Sequence, residues 1–248
     1  MHIIGYSTGG PLALDFALAS IDDGGGAVPA SLVLVSPAIR VHAASALARF
    51  KDALSSLPRL GDLAYLAVKG EFDPFNYNSF ATNAGAQVHA ITRDVDRRIR
   101  ALSSEAVARL PPVLAFKSAV DSTVTTEAIV DDLLMRLPPH RNELVLFDIN
   151  RNAAIKSTLL VADPAPFTDR LMADEGLPFA VTFVTNQRHD RANVVARDKP
   201  PFSFEKSGVE PLGLEWPQGV VSLSHVAPGL PARRPPLPVS YTHLRAHE

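Results

Sequence analysis

The chain has 248 residues, a net charge of −2, 46% hydrophobic residues, 21 prolines and no cysteine. This length can bury a substantial core in one domain or two small ones, and the near-neutral charge excludes a dedicated nucleic-acid binder, which would carry a basic face. Absence of cysteine rules out disulfides and thiolate metal sites and fits the cytosol, and no apolar run approaches the roughly 20 residues of a membrane-spanning helix.

His2-Ile3-Ile4 is short, apolar and partly β-branched, which predicts a buried strand. Gly5-Tyr6-Ser7-Thr8-Gly9 follows and reads G-x-S-x-G, the sharp strand-to-helix turn that lifts a nucleophilic serine. Ser7 sits at its tip, and flanking glycines allow unusual backbone angles and close strand–helix contact. Pro11 occupies a first-turn position that tolerates proline and opens a helical run through Leu12, Leu14, Phe16, Ala17 and Leu18. Beyond the loop Asp22-Asp23-Gly24-Gly25-Gly26, Ser31 to Ser36 is a continuous apolar run suited to a strand buried on both faces, stopped by Pro37. Residues 41–110 carry no strand signal. Val41, Ala44, Leu47, Ala48 and Leu54, then Val95, Ile99 and Leu102, keep helical spacing. A helical insertion between two strands is either a lid over the site or ordinary covering of the core.

Val113 to Ser118 resumes the strands, with Asp121 just beyond. Ile129, Val130, Leu133, Leu134 and Leu137 mark one face of an amphipathic helix. Further strands are predicted at Glu143 to Ile149, Phe179 to Thr185 and Val220 to Leu223. The alternation of strands and helices predicts an α/β fold, a mainly parallel sheet flanked by helices. From Pro228 the chain is too rich in proline for helix or central strand. Its last ten residues, Val239 to Glu248, resemble translated sequencing-adapter sequence. Residues 1–227 are therefore expected to form the domain, with 228–248 a non-native, disordered tail.

Acyl transfer by serine needs a base, a carboxylate that orients the base, and donors for the oxyanion. In chain order the acid and then the base should follow the serine, each past the end of a strand. Asp121 fits the acid, although an aspartate capping the helix begun by Thr125-Thr126-Glu127 would look the same. For the base, His225 stands at the end of Val220 to Ser224, and His189 follows the strand ending at Thr185. His140 precedes its strand; His2, His42 and His89 precede Asp121; His243 and His247 belong to the tail. The Thr8 N–H, directly after the nucleophile, is the expected oxyanion donor. No metal or cofactor is expected. Asp22-Asp23-Gly24-Gly25-Gly26 lacks the ligand spacing of a calcium loop, His189-Asp190 is an isolated pair, and no phosphate-loop or dinucleotide fingerprint occurs.

Gly5-Tyr6-Ser7-Thr8-Gly9-Gly10, Asp121 after its strand, and Ser222-Leu223-Ser224-His225-Val226-Ala227 together resemble the α/β-hydrolase superfamily. The likeness is to bacterial serine hydrolases of the esterase and monoacylglycerol-lipase type, and it covers about residues 2–227. It implies a partial α/β-hydrolase fold with a helical lid insertion, Ser7 as nucleophile, Asp121 as acid and His225 as base. An acyl-enzyme mechanism on a small-molecule carboxylic ester is implied with it, without nucleic acid or stable membrane insertion. A lid at 41–110 would favour a lipophilic acyl group.

The sequence departs from the family pattern in two places. Several strands should precede the nucleophile, so an N-terminally truncated chain of little activity is expected. The interval from Asp121 to His225 is long, because Asn150-Arg151-Asn152 follows the strand that would lead to the histidine. The alternative is a non-catalytic binding or structural module on the same fold, in which Ser7 only makes a tight turn.

Overall fold

The computed structural model describes residues 1–22, 27–40, 65–67, 80–119, 121, 124–149, 165–188, 191–204 and 208–216. The strand predicted at Val220 to Leu223, the tail and most of the 41–79 segment lie outside them. The chain divides into two compact units, Met1–Arg40 with Ile91–Pro231 and Val41–Ala90 with Ala232–Glu248.

The first unit is built on a seven-stranded sheet. Its strands are β1 (His2–Tyr6), β2 (Ser31–Val35), β5 (Val113–Ser118), β6 (Glu143–Asp148), β7 (Ala180–Asn186), β8 (Asn193–Lys199) and β9 (Val209–Glu215), hydrogen-bonded in that order. The first five run parallel, and β8 and β9 are antiparallel additions. Helix α1 (Gly9–Asp22) joins β1 to β2 as the crossover that a parallel pair requires. The α/β architecture read from the alternation of apolar runs is therefore present, with a mainly parallel sheet and flanking helices.

Register lines up the core. Leu34 pairs with Ala115, Ala115 with Leu144 and Leu144 with Val181, all fully buried on one face of the sheet. Helices cover that face. Ala13, Leu14, Ala17, Leu18 and Ile21 come from α1, and Val95 and Ile99 from α2 (Thr82–Ala101). Burying a side chain such as Leu14 or Leu18 contributes about 1.5–3 kcal/mol. On the opposite face Val145, Ile149, Val184 and Val194 form a smaller cluster, with Phe116 and Phe147 stacked 6.4 Å apart.

Three local expectations change. The apolar face Ile129, Val130, Leu133, Leu134 and Leu137 is buried as predicted. Its backbone is one α-turn (α4, Thr126–Ala128), then a π segment Ile129–Leu133 and a 3-10 turn Leu134–Arg136, not one regular helix. Second, β8 and β9 were not expected. The apolar half of β8 stops at Ala196, and β9 is exposed throughout and contains Pro211 and Gly213; proline is admissible there because β9 is an edge strand. Third, the span 41–110 is not wholly helical. In the second unit β3 (Tyr65–Ala67) and β4 (Phe80–Ala81) form a short antiparallel ladder, before α2 and α3 (Ser104–Ala108).

Candidate active site

Parallel strands bring their carboxyl ends to one edge of the sheet, where ligands of open α/β folds bind. Ser7 follows β1 at that edge. Its φ is +49°, a left-handed conformation that a residue with a Cβ adopts only under constraint. The constraint is a set of main-chain bonds. The Ser7 N–H donates to the Val35 carbonyl at 2.9 Å, and the Ser7 carbonyl accepts from Gly10 at 3.1 Å and from Ala38 at 3.0 Å. The end of β1 is thereby clamped to the end of β2, which finishes in the same way: Ser36 has φ +43° and its N–H donates to Phe116 at 2.8 Å.

Close packing decides which glycines matter. A Cβ on Gly5 would lie 2.5 Å from the Gly9 carbonyl oxygen, and one on Gly10 would lie 2.5 Å from Pro37 Cβ. A Cβ on Gly9 would meet nothing within 4 Å. So the glycine that closes the five-residue pattern is not held by contact; its neighbour Gly10 is. Helix α1 begins at Gly9 and points its positive end at the serine turn. Among the described residues the Thr8 N–H has no main-chain partner.

Asp121 lies just past β5, two strands from Ser7, with its side chain fully buried. Its charge reaches the elbow: burial first, and then the Asp121 carboxylate, push the Tyr6 hydroxyl above its ordinary range. Among the described residues, Lys117 and Val124 hold the carboxylate. Lys117 Nζ ion-pairs with Oδ2 and donates to the main-chain carbonyl of Asp121 at 3.4 Å, and the Val124 N–H approaches Oδ1 at 3.4 Å. Lys117 was not singled out from the sequence, although a lone lysine in the apolar strand Val-Leu-Ala-Phe-Lys-Ser, four residues before an aspartate, is a visible sign. Burial pushes its ammonium below the usual lysine range, against the opposing pull of Asp121 and Glu127. Asp148, a second buried carboxylate, closes β6 one strand further along. The sequence reading passed over it as part of a strand.

Of the histidines, His2 bonds through Nδ1 to Ser31 Oγ at 2.7 Å at the opposite end of β1. His140 packs against Phe202 ahead of β6. Both stand at the amino ends of their strands, as was expected for His140. His225 and His189 lie outside the described residues. Among the described residues no group of three or more histidine, cysteine or acidic side chains could hold a metal ion, and no helix is long and apolar enough to cross a membrane.

No protein-family model and no curated relative matches this chain. Among solved structures it is similar to a monoacylglycerol lipase of Paleococcus ferrophilus, at 16% identity and a TM-score of 0.41, over 59% of this chain and 57% of that one. It is also similar to a soluble variant of monoglyceride lipase from Saccharomyces cerevisiae in complex with a substrate analog, at 12% identity and a TM-score of 0.39, over 58% and 51%. The matched stretch spans little more than half the length of either protein.

Proposed function

We propose that this chain is a serine hydrolase acting on carboxylic esters, with the architecture of an α/β-hydrolase. The observation that carries the reading is Ser7, held at φ +49° between a parallel strand and a helix by glycines whose positions admit no Cβ. In this mechanism Ser7 Oγ attacks the ester carbonyl and His225 takes the hydroxyl proton, oriented by the Asp121 carboxylate. The Thr8 N–H and the amino end of α1 stabilise the oxyanion. The alcohol leaves with the proton that His225 returns, and water then hydrolyses the acyl-Ser7 intermediate by the same route. A lipophilic acyl group is the substrate class this reading favours, with the part of 41–110 that precedes the core-covering Val95 and Ile99 as the lid segment.

Covalent labelling tests this without requiring turnover. A fluorophosphonate should add one equivalent to Ser7, located by peptide mass spectrometry. The labelling should vanish in Ser7→Ala and slow strongly in His225→Ala, but not in His189→Ala. An unlabelled, folded wild-type chain would refute the proposal and favour the non-catalytic module. The occupation of Asp121 by Lys117 is the observation that speaks for that second reading.

A further inference from the structure

Lys117 is among the largest fully buried side chains of the described residues, and it is a cation. It stands in register with Leu146, which in turn pairs with Phe183, so its stem belongs to a buried apolar row. A lysine there could ordinarily carry its ammonium out to water along its four-carbon stem. This one does not: the side chains of Lys117 and Asp121 are both 0% exposed. Stability alone gives little reason to keep such a pair, since replacing a buried ion pair by apolar groups is often neutral or stabilising. What the pair does provide is geometry. One ammonium grips both the carboxylate and the main-chain carbonyl of residue 121, fixing the side chain and the loop that carries it.

We propose that Lys117 is a positioning residue for the catalytic acid, pinning Asp121 from the core side so that the carboxylate is held for the base. The inference rests on the reading of Asp121 as the acid. A carboxylate offers about four lone-pair sites, so the ammonium, the Val124 N–H and an imidazole N–H can be accepted together. Among the described residues, the other ionisable groups that interact with the pair are Tyr6 from β1, which feels Asp121, and Glu127 from α4, which feels Lys117. With its charge in place, Lys117 also opposes a positive charge formed beside Asp121.

The test is the rate of fluorophosphonate labelling of Ser7 as a function of pH, in chains shown by circular dichroism to be folded. Asp121→Asn should slow labelling strongly. Lys117→Met should slow it by roughly 10–100-fold, the size of loss seen when groups that orient a functional ligand are removed, and should move the acid limb of the profile to higher pH. Lys117→Arg should recover most of the rate. Above the acid limb, adding Lys117→Met to Asp121→Asn should change the rate by less than about twofold, because there Lys117 acts only through Asp121. If Lys117→Met does not fold, Lys117→Gln replaces it, keeping a donor without the charge, with the same slowing and limb shift expected. Labelling at the wild-type rate with an unmoved acid limb, or an undiminished Lys117 effect in the Asp121→Asn background, overturns the proposal while leaving the acid in place. A wild-type rate in Asp121→Asn overturns the assignment of the acid and this proposal with it.

Discussion

The sharpest consequence of the elbow geometry concerns three glycines that look alike in sequence. In Gly5→Ala the new Cβ would stand 2.5 Å from the Gly9 carbonyl oxygen, 2.8 Å from Gly9 C and 3.0 Å from Gly10 Cα. All three are backbone atoms, so no side chain can turn aside. Restoring ordinary contact means parting β1 from the start of α1 by about 1 Å, which strains the bonds from Ser7 to Val35 and Ala38. Overpacking typically costs about 1–3 kcal/mol, and rigid neighbours put Gly5→Ala at the top of that range. Gly10→Ala meets the equally rigid Pro37 ring at 2.5 Å and should cost about 2–3 kcal/mol. Gly9→Ala meets nothing and begins a helix, so it should be neutral or stabilising by up to about 1 kcal/mol. Urea unfolding followed by circular dichroism reads the difference. At slopes of about 1–3 kcal/mol/M, a 3 kcal/mol loss moves the midpoint down by about 1–3 M. A Gly5→Ala chain as stable as the parent, or Gly9→Ala as the most damaging of the three, would show that the elbow is not packed as described.

Ser7→Gly should abolish labelling and yet raise stability by about 1 kcal/mol, since a left-handed residue with a Cβ costs roughly that much; a thermal melt unchanged or lowered against the parent counts against strain at Ser7. Burial lowers the folded-state pKa of Lys117 from its ordinary 10.5, and that of Lys199 likewise. Below 10.5 the unfolded chain therefore binds more protons, and stability should rise with pH as the pH climbs toward that value. Tyr6 is raised from 10.0 and subtracts stability only above that pH. Unfolding free energies at pH 8 and 9.5 check the sign, and a fall over that interval contradicts it. Asp132 is nearly buried and receives Arg40, Arg100 and Arg136. Asp132→Asn should cost about 1–2 kcal/mol, discounted for the solvent exposure of the arginines, and an undiminished melting temperature would exclude such a role.

The serine turn could be read directly because its signal is local. Gly5, Ser7 and the apolar run before them specify strand, turn and helix within a dozen residues. The place of Asp121 was legible in the same way, as an aspartate just beyond an apolar strand. Lys117 was not. A lysine in a strand reads as a solvent-facing side chain until the register with Leu146 and the covering helices put it in the core. The antiparallel strands β8 and β9 escaped for a related reason. Their residues alternate weakly or not at all, and they hold together through partners rather than through patterning of their own.

By itself, then, the sequence determined what depends on neighbours along the chain: the G-x-S-x-G turn, the apolar runs that become the parallel strands, and the α/β alternation. Tertiary structure alone decided that Gly10 rather than Gly9 is held by contact, that Lys117 grips Asp121, and that Ser7 follows the outermost strand of the sheet formed by the described residues. The physical reason is distance along the chain. Pro37 meets Gly10, and β2 clamps β1, only once the crossover through α1 has closed, and no local pattern of residues encodes which atoms then meet.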